Sequence, residues 1–223
     1  MVYSYSSLTT FKQCPLKFKF AYIDRVEVEQ EPPSPAMERG TKVHNSVEDF
    51  LLGRSEFLHP DIHKNYGQWM TSLRNEPGEV IPEWKWGITW DFKPCDYSAP
   101  ECMIHGYMDA VVIPEDDKAN LALYEWKTGK AYPADHASQV CKYSTALMIH
   151  HPERPGVDAM ITYFDQTDYK KIHYPEGMMN NYMHMLRDEV YRIVFERRFP
   201  AKPSFKCRWC KFSRDNGGPC HVA

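Results

Sequence analysis

One cysteine stands at position 14 of this 223-residue chain, and three more, Cys207, Cys210 and Cys220, crowd its last seventeen residues. Cys207-Arg208-Trp209-Cys210 is a C-x-x-C. That spacing places two thiolates on one tight turn, suited to tetrahedral Zn²⁺ or to one edge of a metal cluster. Three thiols need a fourth ligand. Cys14, also in a basic segment, is the candidate, with His221 as the other available donor. A redox-active C-x-x-C belongs between a strand and a helix, a context this tail lacks. If Cys14 completes the set, the two ends of the chain must meet, closing a loop of nearly the whole polypeptide. Cys95, Cys102 and Cys141 fall in or beside predicted elements and read as core or incidental. An odd cysteine count argues against a disulfide framework. The start, MVYSYSSLTTFKQCP, has no basic stretch leading into an apolar one, so no secretory leader is expected. No run approaches the roughly 18 apolar residues of a membrane span, and the expected location is cytoplasmic, the host cytoplasm if the chain is viral.

The formal net charge is -3, but it is unevenly spread. Residues 192–214 hold eight arginines and lysines against Glu196 alone, a local +7, and residues 1–25 carry a local +3. The middle is correspondingly acidic. Basic ends interleaved with Phe199, Phe205, Trp209 and Phe212 suit a polyanionic partner, because phosphate contacts are electrostatic and bases stack on aromatic rings. Two solvated basic faces, with the aromatics as packing, would give the same pattern.

Hydrophobic periodicity orders the elements. A short helical run is expected from after Ser6 and Ser7 to Cys14 and a second over 15–22, then an acidic proline-rich loop over 27–35, and a helix over 36–52 with Met37, Gly40, Val43, Val47, Phe50 and Leu51 on one stripe. Another helix opens at Pro60. Strands follow over 79–92, 102–114 and 120–129, a helix over 134–150, strands over 156–165 and 168–174, and a long helix over 175–199. The order predicts one α/β domain over 1–223: a mixed central sheet flanked by helices, its core over 79–175, a helical N-terminal part and a cysteine-rich tail.

Glu125 and Lys127 are two apart in the third strand, so carboxylate and ammonium share a face while Trp126 points into the core. Asp109 lies on the preceding strand. If the two strands pair as a hairpin, Asp109 and Glu125 converge, and two carboxylates are typical hard ligands for Mg²⁺ or Mn²⁺. Lys127 would then orient an attacking water. An E-x-K pair is also an ordinary surface ion pair, and a histidine such as His44 on an apolar helical stripe is commonly a hydrogen-bonded core residue. Gln139 and Tyr143, at i and i+4, share one helix face.

Together these motifs resemble the PD-(D/E)xK nuclease superfamily, and in particular its RecB-like branch, which includes the CRISPR-associated RecB-like exonucleases and the AddB nuclease domain. The resemblance rests on Gly40-Thr41-Lys42-Val43-His44, on Gly106-Tyr107-Met108-Asp109, on Glu125-Trp126-Lys127-Thr128-Gly129-Lys130, on Gln139-x-x-x-Tyr143, and on the run Phe11 to Phe20 with Cys14 inside it. Met108 stands where the superfamily has its proline, and Glu83 matches an acidic position of the branch.

The resemblance implies a restriction-endonuclease-like core and a metal-dependent DNA exonuclease acting on single strands or frayed ends. It implies that His44, Asp109, Glu125 and the Trp126 carbonyl hold the metal. Lys127 would be catalytic, with Gln139 and Tyr143 bordering the site and Lys130 near a phosphate. It also implies a [4Fe-4S] cluster on Cys14, Cys207, Cys210 and Cys220, joining residues 1–25 to 200–223. The nine-residue gap before Cys220 exceeds the family spacing and leaves zinc as the other occupant. DNA is the implied partner, with no membrane, and with a homo-oligomer or a larger nucleoprotein complex as further possibilities. The alternative reading is a non-catalytic or partner-dependent iron–sulfur DNA-binding adaptor in repair or CRISPR adaptation.

Overall fold

The computed structural model describes residues 1–28 and 32–222. Residues 29–31, the middle of the loop expected over 27–35, and residue 223 lie outside the described residues. In chain order the main elements are α1 (Tyr5–Gln13), α2 (Pro15–Phe18), α3 (Pro35–Leu51), α4 (Pro60–Arg74), β1 (Glu79–Thr89), β2 (Pro94–Cys95), β3 (Cys102–Ile113), β4 (Leu121–Lys127), α5 (Pro133–His150), β5 (Gly156–Tyr163), β6 (Asp168–Pro175) and α6 (Met179–Val194). They form two compact units. One holds Met1–Val2 and Pro33–His184; the other holds Tyr3–Pro32 and Met185–Ala223.

In the first unit a six-stranded sheet runs in the order β2-β1-β3-β4-β5-β6. Every pairing is antiparallel except β4 with β5, which α5 connects. The sheet is therefore mixed and flanked by helices, the α/β class the sequence predicts. α3, α4 and α5 each begin at a proline, which has no N–H to leave unpaired and a φ already set for a helix. Ser34 caps α3 by accepting the N–H of Met37 at 3.3 Å.

β4 shows how the sheet divides its faces. Period-2 alternation sends Trp126 into a core of Val43, Val47 and Phe50 from α3 and Ile62, Met70 and Leu73 from α4. Leu121, Leu123 and Glu125 take the opposite face. Met37 does not join the stripe expected for α3; it is 65% exposed, one turn outside the buried positions.

Two boundaries differ from the periodicity. The first strand stops at Thr89, where Thr89 N–H donates to the Lys93 carbonyl and Phe92 turns left-handed at φ 58°. α6 is shorter at both ends than the span 175–199. Pro175 closes β6, and a 3-10 turn precedes the helix. Past its C-terminus one Glu196 oxygen accepts the N–H groups of Arg197, Arg198 and Phe199, which takes those donors out of helical pairing.

The second unit assembles α1, α2, a π-helical turn over Lys19–Ile23, the end of α6 and the tail. Its two segments interlock through rings. Phe18 is fully buried, edge-on to Phe11 at 5.5 Å and stacked on Phe199 at 6.3 Å, while Phe20 meets Phe212 at 5.6 Å. Burying a ring of this size stabilises by roughly 1.5–3 kcal/mol. No helix among the described residues is long and apolar enough to cross a membrane.

Candidate active site

The site begins where the β3–β4 ladder stops. Ala110 pairs with Tyr124, Val111 with Leu123 and Val112 with Ala122. Next to this register stand Asp109 and Glu125. Asp109 Oδ2 accepts the backbone N–H of Trp126 at 2.6 Å, so a carboxylate takes the donor at the strand end. Its other oxygen lies 3.2 Å from His44 Nδ1.

His44 gets there because α3 approaches the β4–α5 loop closely. A Cβ on Gly40 would sit 3.0 Å from Thr128 Oγ1. One turn of helix separates Gly40 from His44, so the glycine sets the reach of the imidazole. The loop is held from the other side. Asp165 accepts the Gly129 N–H at 2.7 Å, Gln166 donates to the Gly129 carbonyl at 2.8 Å, and Asp165 is gripped by both terminal nitrogens of Arg39 on α3. Gly129 itself is left-handed at φ 78°.

Glu83 completes a compact donor set. His44, Glu83 and Asp109 each offer an atom within 4.8 Å of the others. Glu83 lies opposite Asp109 in the β1–β3 register, between the pairs Pro82↔Ala110 and Trp84↔Met108. Its φ is 47°, a left-handed conformation inside a strand that costs on the order of 1 kcal/mol for a residue with a Cβ. Strain of this kind collects at functional sites.

Glu125 lies outside that trio. It is 4% exposed and tied into a ring of hydrogen bonds. Lys127 Nζ is 2.5 Å from Glu125 Oε1 and 2.8 Å from Gln139 Oε1; Gln139 Nε2 donates to Glu125 Oε1 at 2.8 Å and to Tyr143 Oη at 3.1 Å. The four residues read from sequence on β4 and α5 are thus brought together. Trp126 contributes its N–H to Asp109 and its indole to the core. Lys130 lies over the Tyr132 ring, 5.7 Å from its centroid.

The charges are crowded. Burial and then the Asp109 carboxylate push Glu83 up to about 7, and the same two causes raise Glu125. Burial lowers His44, but the hydrogen bond and charge of Asp109 overcome it and leave the imidazole above its ordinary value. A divalent cation would relieve this excess of negative charge, so nitrogen and carboxylate donors and electrostatics both fit a hard metal ion. His136 also borders the site: its Nδ1 is 3.3 Å from Tyr163 Oη, and burial and the Lys127 charge lower its pKa. Sequence reasoning missed it, although His136, Gln139 and Tyr143 follow the i, i+3, i+7 spacing of one helix face.

In the second unit, Cys14, Cys207, Cys210 and Cys220 all line one cavity of about 230 Å³. Cys14 Sγ accepts the N–H of Lys202 at 3.4 Å and Cys207 Sγ that of Ser204 at 3.3 Å. Such donors stabilise thiolate charge. Asn216 ties the C-x-x-C down by donating to the carbonyls of Arg208 and Cys210. The long gap before Cys220 is a closed turn. Ser213 bridges Cys220, and at Gly218 a Cβ would lie 2.3 Å from the Phe212 backbone, which only glycine permits. The four thiols are the donor type of a metal cluster and share one cavity, while no three of their Sγ atoms come within 4.8 Å of one another among the described residues. Of the aromatics in the basic tail, Phe199 and Phe212 pack inward, while Phe205 and Trp209 are 70% and 67% exposed, with Arg208 over the Trp209 ring.

Comparison with known proteins adds three findings. A family model described as the PD-(D/E)XK nuclease superfamily matches residues 2–214. A search of curated proteins gave no match. Among solved structures, one titled "Crystal structure of SSO0001" is 14% identical, covering 99% of this chain and 86% of that chain at a TM-score of 0.49.

Proposed function

The chain belongs to the PD-(D/E)XK nuclease superfamily and has its restriction-endonuclease-like fold, and from that premise we propose that it is a metal-dependent DNA exonuclease of the RecB-like branch. Its substrate is single-stranded DNA or a frayed end in the cytoplasm, and its second unit is closed by a [4Fe-4S] cluster. The observation that carries this reading is the convergence of His44, Glu83 and Asp109 beside the hydrogen-bonded ring of Glu125, Lys127, Gln139 and Tyr143.

His44, Glu83 and Asp109 would hold Mg²⁺ or Mn²⁺, with Glu125 and the Trp126 carbonyl completing the donors. Bound there, the ion supplies Lewis acidity to the scissile phosphodiester. Lys127 orients the attacking water with an ammonium fixed by two hydrogen bonds. Gln139 sets the position of that ammonium, and Tyr143 sets the amide of Gln139. Asp109 does two jobs at once, one oxygen towards His44 and the other on the Trp126 N–H, so its orientation is fixed before any ligand arrives. Phe205, Trp209 and Arg208 offer exposed rings and charge to a single strand.

Labelled single-stranded DNA with Mn²⁺ tests the proposal. The parent protein degrades it and EDTA stops the reaction; Asp109→Ala and Lys127→Ala abolish it. Degradation that survives Asp109→Ala overturns the assignment.

A further inference from the structure

Away from this site, on the sheet face beside α4, lies a groove of about 840 Å³. Tyr66 and Trp69 of α4 form one wall, Tyr124 of β4 and Thr162 of β5 the floor, and Tyr169 and Lys171 of the edge strand β6 the far wall. The proposed nuclease chemistry uses none of them. We infer that this groove is a nucleobase site, which takes an unstacked base of a single-stranded DNA substrate; the inference rests on the nuclease reading for its ligand.

The lining matches a base and its phosphate. Trp69 already stands edge-on to both Tyr66 and Tyr124, at 6.1 and 5.9 Å, so a wall of ring edges and faces exists without rearrangement. Tyr169 is 60% exposed and has the Lys171 ammonium 5.7 Å from its ring centroid. Stacking on such rings tolerates any base, because every base has a π-face. Lys171, which lines the groove, has no carboxylate at ion-pair distance among the described residues, so its charge is available to phosphate. Asp158, the acid in the groove, is occupied by Asn120 at 2.9 Å and His173 at 2.7 Å.

The register places the groove usefully. β4 and β5 run parallel with Trp126 opposite Thr162 and Lys127 opposite Tyr163. The Thr162 end of the groove is therefore at the same end of the sheet as Glu125 and Lys127, on the other face. A strand leaving the site round that end would present its next bases to Tyr66, Thr162 and Tyr169. A protein strand is the poorer occupant: the β6 edge carries two adjacent lysines and ends at Pro175, both of which oppose strand addition.

The test uses the full chain in EDTA, so that nothing is cleaved, and a single-stranded oligonucleotide containing 2-aminopurine, whose fluorescence falls on stacking. The parent quenches the probe. Tyr169→Ala, an exposed position with little effect on melting, loses most of the quench and binds about 5-fold or more weakly. Lys171→Ala weakens binding and keeps the quench. An abasic oligonucleotide binds parent and Tyr169→Ala alike. Unchanged quenching and affinity in Tyr169→Ala overturns the site, as does an equal loss of the abasic strand, or a change in self-association alone. Cleavage with Mn²⁺ is measured in parallel. Cleavage with no groove effect leaves the nuclease reading standing without this site, and quenching by a protein that never cleaves does the reverse.

Discussion

Gln139 accepts the Lys127 ammonium on its carbonyl oxygen at 2.8 Å while its amide nitrogen donates to Glu125, also at 2.8 Å. One side chain from α5 thereby fixes both ends of the β4 pair. Replacing it with leucine leaves the amphipathic helix intact and takes away one of the two hydrogen bonds that position the Lys127 ammonium, leaving that to Glu125. Gln139→Leu should lower kcat about 10²-fold with KM little changed, the cost of misplacing a reacting group by about an ångström. Steady-state cleavage with Mn²⁺ checks it, and an equal rise in KM would point to DNA binding instead.

Gly40 is a steric prediction. A methyl there meets Thr128 Oγ1 at 3.0 Å, so the helix or the loop must give by a few tenths of an ångström. Alanine also gains roughly 0.5–1 kcal/mol of helix stability. Gly40→Ala should therefore keep or raise the melting temperature and yet weaken Mn²⁺ binding several-fold, through a displaced His44. Adding Thr128→Ala should restore most of that affinity, a coupling that a double-mutant cycle measures. No rescue would place the defect elsewhere.

Glu83 and Glu125 give the metal-free protein an unusual pH dependence. Both carboxyl groups titrate above the unfolded value of ~4.3, Glu83 near 7. Between those values the folded state binds more protons than the unfolded one, so stability falls as pH rises through the window. His44, raised above its ordinary value, acts in the same direction above ~6.5. In EDTA the protein should melt higher at pH 5 than at pH 7.5. Mn²⁺ should then raise the melting temperature more at pH 7.5 than at pH 5. Calorimetry at both pH values decides, and a metal shift independent of pH would separate these groups from the ion.

Cys14→Ser and Lys127→Ala should behave oppositely. Losing a ligand whose binding is folding free energy lowers the melting temperature by at least ~5 °C, since ~1 kcal/mol is worth roughly 2–4 °C in a chain of this size. Lys127→Ala should melt like the parent. Anaerobically purified protein should be brown, with iron and sulfide in equal amounts; a colourless protein containing zinc would replace the cluster and keep the staple.

Much of this geometry is legible in the residues, and the exceptions have physical causes. Asp109, Glu125 and Lys127 follow from period-2 alternation and one hairpin register. Gln139 and Tyr143 follow from helical spacing. Glu83 is different: its place beside His44 depends on a left-handed φ of 47° in mid-strand, which no propensity of glutamate announces. The Arg39–Asp165–Gly129 clamp joins residues 126 and 36 positions apart and has no local pattern. The two-residue β2 is too short to show alternation. The end of α6 turns on a single acid, Glu196, visible in retrospect as the lone carboxylate of a basic run.

The second unit draws on Tyr3–Pro32 and on residues from Met185 onwards, with a whole sheet encoded between them. During synthesis, at about 5–20 residues per second, its first half emerges roughly ten to thirty seconds before its second. Through that interval Phe18 has no Phe199 to stack on and Cys14 has no companion thiol. The sheet can fold while this segment waits, so loading of the proposed cysteine site would follow the folding of the sheet. With the proposed cluster in that site, a cell short of iron or sulfide would accumulate chains with a folded sheet and an open, protease-accessible hydrophobic segment around Phe18.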